Sequence, residues 1–359
     1  MSLPEAFEAF KREVVPDTRV VLCDVTVRGG VLSGAADKRL EPELYAFAAK
    51  HGVSSRVTFL TPTPQYVLNE QVFLRAAPVA HGERVTEVRY GEPVQVFDRE
   101  GNWYRVASNG DSYLGWLPMT ALAHHLPLPT HRFVALRGHL YGRPAVSAER
   151  RLALAFGAQL SVTEGGLKGD DDWASVSYGK GEQGFVKTKL LWPLERRPAR
   201  VTPGALVTFA RRFLEVPYLW GGVSAWGLDC SGLVQTVYGA FGIHLPRDSD
   251  QQAACGTEVS LDDVQPADLL FFPGHVAISL GGTRFMHANA HHMRVTVDDF
   301  ALSEYGQALR RQLEGVRRLE LTPGLSAQAE TALTEDVGGT PRDDTPRDAT
   351  FRPVVTTPQ

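Results

Sequence analysis

The stretch Leu228-Asp229-Cys230-Ser231-Gly232 decides the interpretation of this chain, because it sets a cysteine at the start of an apolar helical pattern over residues 230–241. A histidine, His275, follows later at the start of a β-branched stretch. The thiolate is the nucleophilic form of cysteine, and a helix N-terminus and a neighbouring imidazolium both lower the pKa of the thiol. The order of these residues therefore predicts a nucleophile, Cys230, with His275 as its base.

A second histidine, His287, follows His275 across a double-glycine turn. The segments 275–280 and 284–289 on the two sides of this turn have the pattern of strands, so they predict a hairpin that brings the two histidines together. A third polar residue of this kind holds a catalytic base in its reactive tautomer. We therefore predict that Cys230, His275 and His287 form one catalytic set.

Two further histidines, His291 and His292, lie near His287 in the sequence and raise the question of a metal site. Their spacing lacks a carboxylate-supported ligand set, and a thiolate mechanism needs no metal. We therefore predict no metal and no cofactor. The other two cysteines are interpreted as structural, because Cys23 lies in an alternating strand and Cys255 has no basic neighbour in the sequence.

The composition of the 359-residue chain is that of a soluble globular protein, with 43% hydrophobic and 22% charged residues. Its 37 basic and 41 acidic side chains give a net charge of −4, which points to neither nucleic acid nor an anionic membrane as a partner. No stretch reaches transmembrane length. We expect a monomer with about two to four domains.

The location of the protein is predicted from its first residues and from its cysteines. Charged residues within 5–13 interrupt every candidate apolar segment, so no signal peptide is visible. Three cysteines, one of which must stay free, disfavour a disulfide framework and suit a reducing compartment. We expect a cytoplasmic protein, unless a mis-assigned start codon has removed a signal peptide.

Patterning divides the chain into five parts. Residues 1–64 predict a small α+β unit that ends in a linker, Thr61-Pro62-Thr63-Pro64. Its predicted elements are helices over residues 4–15 and 42–50 and strands over residues 19–27 and 56–60. Residues 65–126 and 127–197 form an internal repeat, and residues 198–320 hold the catalytic motifs. Residues 321–359 are polar and rich in Thr, Pro, Asp and Ala, which predicts a disordered tail.

The internal repeat predicts two small β-barrels, because both copies have short alternating strands separated by Gly, Asp and Asn turns. The matching positions are Tyr90-Gly91 and Phe156-Gly157, Trp103 and Trp173, and Gly115-Trp116 and Gly184-Phe185.

Five motifs follow one another in the catalytic part: Tyr218-Leu219-Trp220-Gly221-Gly222, Asp229-Cys230-Ser231-Gly232, and residues 247–252, 267–272 and 274–278. As an ordered set they resemble the NlpC/P60 family of papain-like cysteine peptidases over residues 203–319. The two barrels are similar to bacterial SH3 (SH3b) domains. The expected fold class is α+β multidomain, with a papain-like NlpC/P60 catalytic domain preceded by two small SH3b β-barrels and a small α+β N-terminal segment.

The resemblance implies a substrate as well as a fold. The family cleaves cell-wall peptides between γ-D-glutamate and a diamino acid, and the sequence does not distinguish lysine from meso-diaminopimelate. The domain layout, with no visible signal peptide, is similar to that of γ-D-glutamyl-L-diamino acid endopeptidases. These remove L-Ala-γ-D-Glu from the free amino end of murein peptides during peptidoglycan recycling.

The resemblance also assigns residues of the catalytic domain to the substrate. Tyr218 is expected near the scissile bond or the oxyanion. Asp229 is expected to bind the substrate ammonium group, and Ser231 and Ser249 to add hydrogen bonds. On this basis Asp229→Ala loses binding of free-amine peptides while Cys230 stays chemically reactive, since a buried ammonium needs a paired carboxylate.

The first SH3b domain is expected to close the site, by resemblance, with a tyrosine and an acidic residue. The tyrosine is Tyr113, just before a Gly-Trp-Leu-Pro turn. We assign the acidic residue to Glu87, with Glu83 as the alternative. The sequence leaves open the alternative that Glu87 is a purely structural residue on a solvent-exposed strand.

Three other functions are weighed against this one. A secreted peptidoglycan hydrolase would use the SH3b domains for wall binding and would leave Tyr113 and Glu87 as ordinary surface residues. An acyltransferase or amidase could use the same scaffold, although Cys230 before His275 argues against circularly permuted relatives. A peptide-binding protein without activity is disfavoured by the intact catalytic set.

Overall fold

A computed structural model of the chain describes residues 1–108, 110–163, 173–196 and 201–321. The disordered tail predicted for residues 321–359 lies, apart from its first residue, outside this described part. Among the described residues, no helix is both long and apolar enough to cross a membrane.

The N-terminal unit is a three-stranded sheet with two helices. Its elements are α1 Leu3–Val14, β1 Cys23–Arg28, β2 Val31–Asp37, α2 Glu41–His51 and β3 Ser54–Leu60. A capping box between Ser2 and Glu5 begins α1, and Gly52, with φ of 63°, ends α2 in the left-handed conformation. The strand β2 pairs antiparallel with β1 and parallel with β3, and Phe7 and Phe47 pack in the core beneath.

Seven strands then form what we call the first barrel: β4 Thr63–Val67, β5 Gln71–Arg75, β6 Arg84–Arg89, β7 Pro93–Glu100, β8 Trp103–Ser108, β9 Leu114–Pro118 and β10 Leu122–Ala123. They pair in the order β10-β4-β7-β8-β9-β5-β6. Every strand contributes to one core, so the sheet wraps around it.

The predicted linker is wrong in its second half, because Thr63 and Pro64 already belong to β4. Pro64 pairs opposite Gln95 of β7, while β10 pairs with β4 only at Tyr66 and Val67. One side of the strand is thus open at Pro64, and the missing N–H of proline costs the sheet no hydrogen bond there.

A second barrel repeats these neighbour relations: β11 His131–Phe133, β12 Arg137–Tyr141, β13 Arg150–Ala155, β14 Gln159–Val162, β15 Trp173–Tyr178, β16 Glu182–Lys187 and β17 Leu191–Pro193. The strand order is β13-β12-β16-β15-β14-β11-β17, which is that of the first barrel with each strand replaced by its repeat. Trp103 and Trp173 both begin the fifth strand of their barrel, as the internal repeat predicts.

Within residues 201–321, the described catalytic part has four α-helices and eight strands: α3 Pro203–Arg211, β18 Val223–Ser224, β19 Gly227–Leu228, α4 Cys230–Ala240, α5 Ser249–Ala253, β20 Thr257–Glu258, β21 Leu269–Phe272, β22 His275–Gly281, β23 Arg284–Asn289, β24 Arg294–Asp299, α6 Glu304–Arg310 and β25 Gly315–Arg318. Six of these strands form a sheet in the order β20-β25-β21-β22-β23-β24. The helix α4 packs on β22 and β23 through Leu233, Val237, Ile278 and Met286. The predicted hairpin is confirmed, with Ile278 opposite Met286.

The N-terminal unit ties the first barrel to the catalytic domain through Arg19. Its guanidinium forms ion pairs with Asp17 and with Asp248 and Asp250 at the start of α5, each at 2.8 Å. Its backbone carbonyl accepts a hydrogen bond of 2.7 Å from the N–H of Leu114 in β9. The unit therefore acts as a brace between two parts that both approach the catalytic centre.

Candidate active site

The predicted nucleophile, Cys230, is the first residue of α4 and is buried. The N–H groups of Val276 and Ser231 are directed at its sulfur. Burial nevertheless raises the pKa of Cys230 to about 11, and the carboxylate of Asp229 adds to the rise. This corrects the expectation of a lowered pKa, because the resting protein holds the neutral thiol.

The predicted base, His275, begins β22, and its Nε2 lies 2.8 Å from Nδ1 of His287 in the neighbouring strand. Burial, with His287 adding to it, lowers the pKa of His275 to about 3. The imidazole is therefore neutral at ordinary pH. A neutral imidazole beside a neutral thiol works as a general-base pair, in which the proton moves as the sulfur attacks.

Cys230 and His275 share one cleft of about 250 Å³. The other residues that line it are Tyr218, Trp220, Phe272, Pro273, Gly274, Asn289, Ala290, His291, Tyr305, Leu309 and Gln312. Burial and the nearby Cys230 raise the pKa of Tyr218 to about 12, so its hydroxyl is a hydrogen-bond donor in the cleft. The cleft thus brings together the two residues that the sequence predicts as nucleophile and base, with the hydroxyl of Tyr218 beside them.

A larger cavity of about 560 Å³ lies between the two barrels and the catalytic domain. Within the described part of the chain, neither Cys230 nor His275 lines it. Its walls include Arg89 and Phe156 from the barrels and Gln235 from α4. Chemistry, and not size, therefore identifies the smaller cleft as the active site.

Asp229, predicted to bind the substrate ammonium group, already has a cationic partner. Its carboxylate pairs with Arg247 at 2.5 Å, and both side chains are almost completely buried. The same carboxylate accepts hydrogen bonds from the N–H groups of Gly221 at 2.9 Å and Gly232 at 2.7 Å. Ser231 accepts a further bond of 2.8 Å from Arg247. Asp229 therefore holds the start of α4 in place.

This pairing corrects the expected result of Asp229→Ala. Removing the carboxylate would leave Arg247 buried without a partner and would remove the N-cap of α4. A loss of substrate binding in that variant would then have two possible causes, a disturbed start of α4 and the loss of a contact with the ammonium group, and the variant does not distinguish them.

Tyr113 and Ser249 come together at the start of α5. The hydroxyl of Tyr113 donates a hydrogen bond of 2.8 Å to Asp248, and Ser249 is the first residue of the helix. Arg247, immediately before them, joins this group to Asp229. Three of the predicted binding residues, Tyr113, Ser231 and Ser249, thus lie around residues 247–249, and within the described part of the chain these three do not line the cleft.

The structure places Glu87 away from the cleft, which corrects our choice of the acidic residue. Glu87 is 3% exposed and accepts a hydrogen bond of 2.8 Å from the N–H of Val223. The alternative, Glu83, accepts a bond of 3.2 Å from Nε1 of Trp220, which lines the cleft and is 56% exposed. Glu83 is therefore the glutamate of the first barrel that reaches the rim of the site.

The sequence interpretation missed a carboxylate behind the two histidines. Oδ2 of Asp298 lies 3.0 Å from Nε2 of His287. His287 faces Thr296 across β23 and β24, and Asp298, two residues further along β24, points to the same face. The strand register would have indicated this contact, had the third strand been predicted.

We expect acid to destabilise the fold through His275. The unfolded imidazole binds a proton near pH 6.5, whereas the folded one does so near pH 3, so the unfolded state holds more protons in between. The free energy of unfolding should therefore fall as the pH drops through this window. Urea unfolding at several pH values should show a shallower fall in His275→Gln, and parallel curves would contradict the assignment.

Comparisons with known proteins match two parts of the chain. Residues 215–314 match the NlpC/P60 family, and residues 74–122 match the bacterial dipeptidyl-peptidase SH3 domain. Dipeptidyl-peptidase 6 of Lysinibacillus sphaericus is 29% identical over 255 residues, which cover 67% of this chain and 92% of that protein. The γ-D-glutamyl-L-lysine dipeptidyl-peptidase of Bacillus subtilis is 29% identical over 258 residues, covering 63% and 83% respectively.

A solved structure supports the same fold. The crystal structure of an NlpC/P60 family protein from Bacillus cereus superposes with a TM-score of 0.62 at 22% identity, covering 71% of this chain and 99% of that one. The SH3 match covers the first barrel only, so the SH3b character of the second barrel and the domain boundaries stay predictions. The chain thus carries an NlpC/P60 cysteine peptidase domain, with a bacterial dipeptidyl-peptidase SH3 domain ahead of it.

Proposed function

We propose that this protein hydrolyses the bond between γ-D-glutamate and a diamino acid in murein peptides with a free N-terminal L-Ala, and releases L-Ala-D-Glu. The names of two relatives, both γ-D-glutamyl-L-lysine dipeptidyl-peptidases, support this substrate class. The observation that carries the proposal is the contact between Glu83 of the first barrel and Trp220 at the cleft. It brings a carboxylate to the rim of a site that must bind an ammonium group.

The neutral pair of Cys230 and His275 accounts for the chemistry. His275 takes the thiol proton as the sulfur attacks the γ-glutamyl carbonyl, and the N–H of Cys230 and the hydroxyl of Tyr218 donate to the oxyanion. The C–N bond breaks, His275 protonates the departing amine, and a thioester remains. Water then attacks, His275 receives its proton and returns it to the sulfur, and the C–S bond breaks.

Closure by the first barrel accounts for the preference for a free amino end. Glu83, Glu87 and Tyr113 of this barrel all bond to the catalytic domain, at 3.2, 2.8 and 2.8 Å. A barrel held so firmly would block longer chains on the amino side of the scissile bond. Only about two residues, on the order of 7 Å of extended chain, would then fit between the nucleophile and the closed end.

Product analysis tests this function. The protein is incubated with L-Ala-γ-D-Glu-meso-diaminopimelate, and with the lysine peptide in parallel, and the products are identified by mass spectrometry. The proposal expects L-Ala-D-Glu together with the free diamino acid, and no product with Cys230→Ala. Intact peptide, or cleavage between L-Ala and D-Glu, would refute it.

We expect Glu83→Gln to raise KM for the free-amine peptide by about tenfold, with a smaller change in kcat. The amide keeps the shape and the contact with Trp220 but loses the charge that attracts the ammonium group. Initial-rate kinetics measure the effect.

The matched control for this prediction is Glu87→Gln. It lies on the same barrel but bonds to Val223 away from the cleft, so it should change stability and leave KM within about twofold. Equal KM values for Glu83→Gln and the unaltered protein would remove Glu83 from substrate recognition.

We also propose that the peptides come from peptidoglycan recycling in the cytoplasm. The three cysteines, Cys23, Cys230 and Cys255, are all free thiols, which suits a reducing compartment. Cell fractionation with an antibody against the protein tests this location. Recovery outside the cell or on the wall would favour the secreted hydrolase instead.

A further inference from the structure

We infer that Asp298 is a positioning residue that fixes the proton positions of His287 and His275, so that His275 presents an unprotonated Nδ1 to Cys230. The inference concerns the activation of the thiol and holds for any acyl substrate. It extends the predicted set of three residues by a carboxylate from the neighbouring strand β24.

The geometry forms a continuous chain of hydrogen bonds behind the nucleophile. Nε2 of His275 lies 2.8 Å from Nδ1 of His287, and Nε2 of His287 lies 3.0 Å from Oδ2 of Asp298. Ser303, the N-cap of α6, donates a bond of 2.8 Å to the other carboxylate oxygen. His287 is 0% and Asp298 5% exposed, so water does not compete for these bonds.

Asp298 is the ionised group at the end of this series of hydrogen bonds. Burial opposes its ionisation, but the hydrogen bonds from His287 and Ser303 outweigh burial and hold the pKa of the carboxyl below its ordinary value. Burial lowers the pKa of His287 although Asp298 works against this, so the ring is neutral. A neutral imidazole has one N–H and one acceptor nitrogen.

These protonation states leave one arrangement of protons. The ionised carboxylate can only accept, so Nε2 of His287 carries the proton and Nδ1 of His287 is the acceptor. Nε2–H of His275 must then donate to that nitrogen. His275, also neutral, keeps its lone pair on Nδ1, which is the ring nitrogen left to take a proton from Cys230. The carboxylate thus sets the tautomer of the base through a second histidine.

Three other aromatic side chains lie around His287, and the test must separate their effects on the site from that of Asp298. His292 Nε2 lies 3.2 Å from the same oxygen of Asp298, and Tyr305 stacks on His287 with ring centroids 5.9 Å apart. His291 stacks on Tyr305 in turn. An effect of Asp298 that acted through His292 would be reproduced by His292→Ala, which leaves the bond between Asp298 and His287 intact.

The test compares Asp298→Asn with Asp268→Asn. Asp268 is also buried in the catalytic domain and pairs with Arg318 at 2.7 Å, so it controls for the loss of a buried carboxylate. The readouts are peptide hydrolysis and the rate at which iodoacetamide alkylates Cys230, followed by mass spectrometry over about pH 6 to 9. Alkylation needs no peptide, so this readout tests the inference even if the protein does not cleave the proposed substrate.

We expect Asp298→Asn to lower kcat about 100-fold, while Asp268→Asn and His292→Ala stay within about threefold of the unaltered protein. The amide can donate to His287 and so reverse both tautomers. In the unaltered protein, where His275 takes the thiol proton, the rate of alkylation should be nearly independent of pH. In Asp298→Asn this rate should rise about tenfold per pH unit, as for a thiol that must ionise by itself. Equal rates and equal pH profiles in both Asn variants would overturn the inference.

A second measurement uses the unaltered protein and does not depend on a variant that folds. Nitrogen-15 NMR of the histidine rings distinguishes N–H from bare nitrogen. The inference requires protons on Nε2 of His275 and on Nε2 of His287, with both Nδ1 atoms bare. A proton on Nδ1 of His287 would contradict it.

Discussion

Replacement of Cys230 by serine is expected to abolish peptide hydrolysis, with a loss in kcat on the order of 10⁴-fold or more. The serine hydroxyl has a much higher pKa than the thiol, and the neutral His275 is too weak a base to activate it. The residue begins α4 with its side chain directed into the cleft, so the change removes one nucleophilic atom and little packing. Release of L-Ala-D-Glu, followed by mass spectrometry, measures the effect.

The control for this variant is Cys255→Ser. Cys255 is half-buried behind α5, and within the described residues it does not line the cleft, so activity should stay within about twofold. Thermal unfolding of both variants should follow the unaltered protein. Residual hydrolysis above a few per cent in Cys230→Ser would assign the nucleophile elsewhere.

Replacement of Arg247 by alanine is expected to lower the free energy of unfolding by about 3–5 kcal/mol. The change leaves the carboxylate of Asp229 buried without its cation and removes the hydrogen bonds to Ser231 and to Thr86 of the first barrel. Because Asp229 caps the helix that begins at Cys230, hydrolysis should fall as well. Urea unfolding followed by tryptophan fluorescence measures the stability change.

An exposed ion pair in the same domain provides the comparison. Arg294 pairs with Glu215 at 3.3 Å, and both side chains are about half exposed or more, so Arg294→Ala should cost less than about 1 kcal/mol. The double variant Arg247→Ala/Asp229→Ala should lose less than the sum of the single variants, since neither charge is then left alone. A loss below about 1 kcal/mol in Arg247→Ala would show that water reaches the pair.

The catalytic set could be predicted from sequence because its members lie in local patterns. Cys230 follows an N-capping aspartate at the start of an apolar helix, and the double-glycine turn fixes the hairpin that joins His275 to His287. Strand alternation then determines which side chains share a face. The two barrels were predictable for a similar reason, since a repeat shows its period along the chain.

The charge state of the site was not predictable in this way. The sequence indicates a helix N-terminus and an imidazole near Cys230, which both favour the thiolate. It does not give the degree of burial, which raises the pKa of Cys230 and lowers that of His275. Burial depends on how the cleft is assembled from distant parts of the chain.

Partners far apart in the sequence were also missed. Arg247 lies 18 residues from Asp229, and the first barrel places Glu83 137 residues before Trp220. No local pattern distinguishes Glu83 from Glu87, because both lie near the start of the same strand region. Only the docking of the barrel on the catalytic domain separates the buried glutamate from the one at the cleft.

The most direct test of the central claim compares two substrates on the unaltered protein. We would measure kcat/KM for L-Ala-γ-D-Glu-meso-diaminopimelate and for the same peptide acetylated at its amino end. A cleft closed by the first barrel, with a carboxylate for the ammonium group, predicts a preference for the free peptide on the order of 100-fold, since acetylation removes the ion pair and adds a group that the closed end does not accommodate. Equal values for the two peptides would contradict the account and indicate an open cleft that accepts longer chains.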